Sequence, residues 1–286
     1  MLAIALAKRG AALTVATIVD EATVIAQSAS ATTAYDPTPL MDVLDDQGLA
    51  LLDDAVAQCR TAKVVPGLDM VHDTPVDGIL SAVVKHACDL VIMGTHARTG
   101  IARTFLGSTT EGVLRASQVP VLTMRTVDRI DTAPFTMALV AVDDSEPADA
   151  ALAVAAMLAR RSETQIVACH AIDTDRLYQN AAAYGLAPEL IAEMRVKGTA
   201  LVQRALAHAS LASDTPVAII EGDPAIAVIV AAAERHATVI VVGTHGRRGL
   251  SRFFLGSVAE GIVRTSDIPV LVVRGKIPAF PKERRC

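Results

Sequence analysis

The chain contains itself twice. Residues 91–125 read VIMGTHARTGIARTFLGSTTEGVLRASQVPVLTMR, and residues 240–274 read IVVGTHGRRGLSRFFLGSVAEGIVRTSDIPVLVVR. They align without a gap at an offset of 149 residues, and about half the positions are identical. A repeat of that length is a supersecondary unit used twice, so both copies have to satisfy one fold.

The repeat continues upstream, more faintly. Ala11–Asp20 (AALTVATIVD) parallels Thr164–Asp173 (TQIVACHAID), both apolar runs with β-branched residues and hence strands. Pro75–His86 and Pro224–His236 read as helices entered through a first-turn proline. Each leads into a buried strand, Leu90–Met93 or Val239–Val242, then a glycine loop, another helix and a last strand, Val121–Arg125 or Val270–Arg274. Alternating strands and helices, with near-continuously apolar strands, predict an α/β fold in which a parallel sheet is covered on both faces. The expected domains are residues 1–127 and 134–275, joined by the polar stretch Thr126–Ala133. Ala22–Gly48 and Thr174–Pro188 differ most between copies and read as surface loops or short helices.

Only the second copy has a start. Met137–Val142 reads as a strand, followed by the turn Asp143-Asp144-Ser145-Glu146-Pro147 and an Ala-rich helix through Arg161. Met1 aligns inside that helix, near Ala153 or Val154, so the first copy lacks its opening strand and the acidic turn.

Composition narrows the partners. The 286 residues carry 26 basic and 31 acidic side chains, a formal charge of −5, which argues against nucleic acid. Aromatic residues are 3% of the chain and Trp is absent, so no platform exists for stacking single-stranded bases in series. The longest apolar run, Ala225–Ala233, is too short for a membrane span and reads as a buried helix. Lys8 and Arg9 follow the short N-terminal apolar stretch, the reverse of a signal peptide. Cys59, Cys88, Cys169 and Cys286 show no metal-like or CxxC spacing and read as reduced thiols of a cytoplasmic protein.

The chemistry concentrates in Gly243-Thr-His-Gly246, nine residues, then Gly256-Ser257. The first part follows a buried strand, at the sheet end where α/β folds bind ligands. Glycines there let backbone N–H groups approach phosphate oxygens, and Gly256-Ser257 opens a helix whose positive end suits an anion. Ser257 and Glu260, like Ser108 and Glu111, also have capping-box spacing, which alone would explain the serines. His96 and His245 read as solvated loop histidines, and Arg247 and Arg248 as loop cations able to screen phosphate. His72, His86, His170, His208 and His236 have no HExxH-type spacing, so no metal site is expected.

The pattern G-x2-G-x9-G-[S/T], the closing IPVLVVR and the turn Val142-Asp143-Asp144-Ser145-Glu146 resemble the universal stress protein family, and nearly the whole chain is covered as a tandem member. The resemblance implies five-stranded parallel sheets of order 3-2-1-4-5 in two three-layer domains, the first lacking its first strand. It implies ATP, with Mg2+, in the second domain only, as a structural or regulatory ligand hydrolysed slowly if at all. Carried over by position, Asp143 contacts the adenosine portion with Ala141 beside it, and Ala171 lines the adenine pocket. Val242 and Gly243 meet the ribose and α-phosphate, Gly246 the phosphates, and Gly256, Ser257 and Val258 the terminal phosphates. In the first copy Ala97 stands where the second glycine belongs, which argues against a site there. The alternative function is an ATP-independent interaction module with a purely structural loop.

Two further expectations follow. The copies pair through their final strands, with a homodimer as a further assembly. The strand missing from the first copy is the central one of its sheet, so two neighbours about 9.6 Å apart lose it. Each buried unsatisfied backbone group costs about 1–3 kcal/mol. The first sheet is therefore expected to split at its centre or to draw its second and fourth strands together, and the natural protein to begin upstream of Met1.

Overall fold

The computed structural model describes residues 2–21, 38–95, 106–125, 135–181, 188–244 and 255–275. The chain falls into two compact units, Met1–Cys88 with Ile130–Pro134, and Asp89–Arg129 with Phe135–Cys286.

The first unit holds helix α1 (Leu2–Ala7), strand β1 (Thr14–Val19), helix α2 (Thr38–Thr61), strand β2 (Gly67–His72) and helix α3 (Pro75–Lys85). β1 and β2 pair in parallel from Thr14 opposite Gly67 to Val19 opposite His72, as a sheet of two strands. Thr74 caps α3 by accepting the Asp77 N–H, with Pro75 in the first turn. Gly78 brings α3 against β1, since a Cβ there would stand 2.7 Å from Ile18 Cγ2. Asp69, on the buried face of β2, accepts from Lys85 Nζ and His86 Nε2, each at 2.7 Å. These hydrogen bonds hold the Asp69 carboxyl below the usual carboxylate range, Lys85 more than His86.

The second unit is built on a sheet of seven strands. It takes strand β3 (Val91–Gly94), helix α4 (Ser108–Ala116) and strand β4 (Val121–Met124), then strand β5 (Met137–Ala141), helix α5 (Glu146–Ser162) and strand β6 (Gln165–Ile172). Helices α6 (Thr174–Ala181) and α7 (Pro188–His208) lead to strand β7 (Val217–Glu221), helix α8 (Pro224–Glu234), strand β8 (Val239–Gly243), helix α9 (Ser257–Thr265) and strand β9 (Val270–Val273). The sheet order is β3-β4-β9-β8-β5-β6-β7. Its second-copy part, β7-β6-β5-β8-β9, is the expected 3-2-1-4-5 arrangement, parallel throughout. Every residue of β8 and β9 is buried, the state that their unbroken apolar sequences anticipate.

The final strands of the two copies pair antiparallel, Val121 opposite Val272, Leu122 opposite Leu271 and Thr123 opposite Val270. The junction is tied at its margins: Arg125 Nη1 meets Asp267 Oδ1 at 3.0 Å, and Arg274 Nη1 donates to the Arg115 carbonyl at 2.7 Å. The first copy is split, the first of the two arrangements expected for it. β1 has β2 as its partner and β3 has β4, whereas their counterparts β6 and β8 both flank β5.

Three expectations change. Thr38–Gly48, expected as surface loop or short helix, is the start of a helix of 24 residues that buries Gly48, Leu52 and Cys59, and residues 22–37 lie outside the described residues. The apolar run Ala225–Ala233 forms α8, yet it is buried on one face only. Val228, Ala231 and Ala232 face inward, while Ile226 and Val230 stay exposed. No capping box forms at Ser257 or Ser108, because Gly256 and Gly107 are the N-caps and each serine is the first helical residue. The physical reason is a loop closure: the Gly256 N–H donates to the Thr244 carbonyl at 2.7 Å, and the Gly107 N–H to Thr95 at 3.1 Å. That bond fixes the N-cap one residue before the serine.

Candidate functional site

A cavity of about 580 Å³ opens at the carboxyl ends of β5, β6 and β8. It lies where parallel α/β sheets bind ligands, and its size is that of a small-molecule site. Ala141, Asp143, Ala171, Val242, Gly243, Gly256, Ser257 and Val258 all line it. Eight of the nine residues assigned from sequence are thus brought together. The ninth, Gly246, lies outside the described residues, as do His96, Ala97, His245, Arg247, Arg248 and the stretch 126–134.

The side of the cavity suited to an anion is the head of α9. Its first internal bond runs from the Glu260 N–H to the Gly256 carbonyl at 2.9 Å. The N–H groups of Ser257, Val258 and Ala259 therefore have no acceptor within the helix. All three residues line the cavity, and the positive end of the helix dipole is theirs. With no capping box, Ser257 does not spend its hydroxyl on the helix it opens.

Gly243 has a second reason to be glycine. A Cβ there would stand 2.7 Å from Pro147 and 2.9 Å from the Ala148 nitrogen, so α5 can reach the sheet only over a bare backbone. Its neighbour in the turn is equally constrained. Ser145 caps α5 by accepting the Ala148 N–H, and its hydroxyl donates to Asp143 Oδ1. The acidic turn is therefore a scaffold that sets the Asp143 carboxylate, half-buried, at the cavity wall.

Several lining residues carried no recognisable motif. His170 Nδ1–H donates to the Val142 carbonyl at 2.8 Å, and its ring edge fills the place a Gly198 side chain would need, 2.9 Å away. Asp173 accepts the Arg176 N–H at 3.0 Å and starts α6, which carries Arg176 and Leu177 to the cavity. The only usable signal for these was adjacency to Ala171 just after the second strand. Cys169 also lines the site, but burial pushes its thiol up to about 12, so it serves as an apolar wall.

In the first copy the counterpart of Ala259 is Thr110, whose hydroxyl donates to the Gly94 carbonyl at 2.9 Å. The end of β3 is thus occupied by a side chain where the end of β8 is open. Among the described residues no helix is long and apolar enough to cross a membrane.

Comparison with known proteins agrees with this architecture. The chain is 27% identical over 238 residues to a universal stress protein of Mycobacterium tuberculosis (strain ATCC 25618 / H37Rv), covering 80% of this chain and 78% of that one. A Bacillus subtilis (strain 168) universal stress protein is 28% identical over 150 residues, 49% of this chain and 99% of its own. The crystal structure of a universal stress protein from Archaeoglobus fulgidus DSM 4304 shares the fold at a TM-score of 0.65 and 21% identity, over 95% of this chain and 89% of that one. The family model described as the universal stress protein family matches twice, at residues 1–125 and 135–274, and with both copies of the repeat so covered the chain belongs to that family.

Proposed function

We propose that the second copy binds ATP, with Mg2+, as a structural or regulatory ligand in a stress response. The observation that carries this reading is the head of α9. Three N–H groups without helical acceptors line a cavity of about 580 Å³ together with Asp143 and the apolar residues Ala141, Ala171 and Val242. An anion at one end and an apolar ring at the other fit that lining. Gly243 does not discriminate, because packing against Pro147 and Ala148 explains it without a ligand.

Binding without turnover is supported by how the ionisable groups are used. Asp143 accepts from Ser145, Asp173 caps α6, and His170 is held by the Val142 carbonyl. Each serves the scaffold, so none is poised as a general base. At a nucleotide concentration one hundred times the dissociation constant, ATP should stabilise the second unit by about 2.7 kcal/mol. Denaturing the purified protein and chromatographing the supernatant would show whether nucleotide co-purifies. Titration calorimetry with Mg-ATP should give binding to the wild type and none to Gly246→Val. Equal responses of the two proteins would remove the site assignment and leave the loop a structural element of an interaction module.

A further inference from the structure

Among the described residues the apolar end of the cavity has no phenyl or phenol ring, and the aromatic ring in the lining is the His170 imidazole. The lining there includes Ala171, Ile172, Leu177, Met194 and Val228, and none of the chain's three Tyr or five Phe is among the described residues that line it. A nucleobase in such a pocket has aliphatic contacts but no Tyr or Phe face of the kind from which base binding draws much of its strength. Two planar side chains border the space, His170 and Arg176.

His170 is held in place by the edges of its ring. Its Nδ1–H is bonded to the Val142 carbonyl and its Cδ2 edge fills the gap left by Gly198 on α7. Arg176 differs in each respect. It is exposed, it lines the cavity, and its guanidinium has no ion-pair partner among the described residues. Its backbone is nevertheless fixed, because Asp173 Oδ1 accepts the Arg176 N–H and pins the first turn of α6 beside the end of β6. The helix head that suits phosphates is anchored instead at the end of β8, through the bond from Gly256 to Thr244. β6 and β8 flank β5, about 9.6 Å apart. Arg176 therefore stands on the nucleoside side of the site, away from the phosphate side.

We propose that Arg176 closes over the nucleobase and stacks its guanidinium on the ring, so that this chain selects the base through an arginine in place of an aromatic residue. A guanidinium is planar, weakly hydrated and suited to stacking, which an ammonium is not. The inference rests on the nucleotide reading above and assigns its base-recognition element.

Calorimetric titration of wild type, Arg176→Ala and Arg176→Lys with Mg-ATP and Mg-CTP tests it. Arg176→Ala should weaken ATP about 3- to 30-fold and CTP less, since the pyrimidine offers a smaller face. Arg176→Lys should leave most of that loss in place. Melting curves without nucleotide should coincide for the three proteins, as Arg176 is exposed and unpaired by charge among the described residues. An unchanged ATP affinity in Arg176→Ala would overturn the proposal, and so would equal losses for ATP and CTP or full rescue by lysine, both of which mark a phosphate-charge role. Failure of the wild type to bind either nucleotide would instead overturn the nucleotide reading itself, and this inference with it.

Discussion

Asp69 and Gly243 show how differently single residues speak from sequence and from structure. Gly243 was legible as a candidate for the cavity wall, where it lies, because glycines at fixed spacing after a buried strand have few uses. Its contact with Pro147 and Ala148 was not legible, because nothing in the spacing says which helix crosses above it. Asp69 carried no signal at all: one carboxylate in an apolar strand, with Lys85 and His86 sixteen and seventeen residues away. Its side chain is 6% exposed, and its pKa is lowered by those two partners. A folded pKa below the unfolded one contributes stability above the unfolded value and loses it as pH falls through the folded one. The first unit should therefore hold this contribution above about pH 4 and shed it below. Asp69→Asn should lower the melting temperature near neutral pH by about 5 °C. In scans from pH 6 to pH 2 the difference between mutant and wild type should shrink as acid protonates Asp69. A constant difference over that range would show that the carboxylate charge is not what matters.

At the scale of elements, the repeat made most of the fold readable. Strands β1, β4, β5, β6 and β9 lie within the segments assigned from sequence, and β3 and β8 run one glycine past theirs, since each is a short apolar run bounded by turn residues. The misreadings fell where tertiary contacts overrule local pattern. The first stretch of α2 reads as a loop or short helix because Pro39, Asp45 and Gly48 interrupt its periodicity, but Gly48 is the residue that lets Met70 and Thr17 pack against it. The serines of the two capping-box motifs were displaced by a loop-closing hydrogen bond between residues twelve apart. Pairing of the last strands was anticipated from their apolar edges, and the register supplies a test. Val272 is 2% exposed and opposite Val121 across the antiparallel β4–β9 ladder. Val272→Lys places an unpaired charge in that interior and should destabilise the second unit by more than about 2 kcal/mol. Ile226→Lys, on the exposed face of α8, serves as the control and should change stability by less than about 0.5 kcal/mol. Chemical denaturation of both variants checks the pair, and equal midpoints would show that the strand junction contributes no stability.

Across the whole molecule the two copies have unequal fates, and the difference lies in one strand. β5 gives the second copy a centre: it pairs with β6 on one side and β8 on the other, and Ala138, Leu139 and Val140 within it are fully buried. Among the described residues the first copy has no such strand, and its β1 and β2 form a sheet of two. A two-stranded sheet depends on the helices packed on it, here α2 and α3, and most of β1 is only half-buried. Amides of β1 and β2 should therefore exchange through a local opening of lower free energy than amides of β5, β8 and β9. Native-state hydrogen exchange read by mass spectrometry resolves these segments. Peptides covering Thr14–Val19 and Gly67–His72 should exchange at least about tenfold faster than those covering Met137–Ala141 and Val270–Val273, after correction for intrinsic rates. Addition of denaturant should abolish protection in the first pair of segments at lower concentration than in the second, because less surface and fewer ladder bonds must be given up. Matching protection in all four segments would mean that β1 and β2 unfold only with the seven-stranded sheet. The two-stranded sheet would then not be the weaker element that its burial and pairing describe.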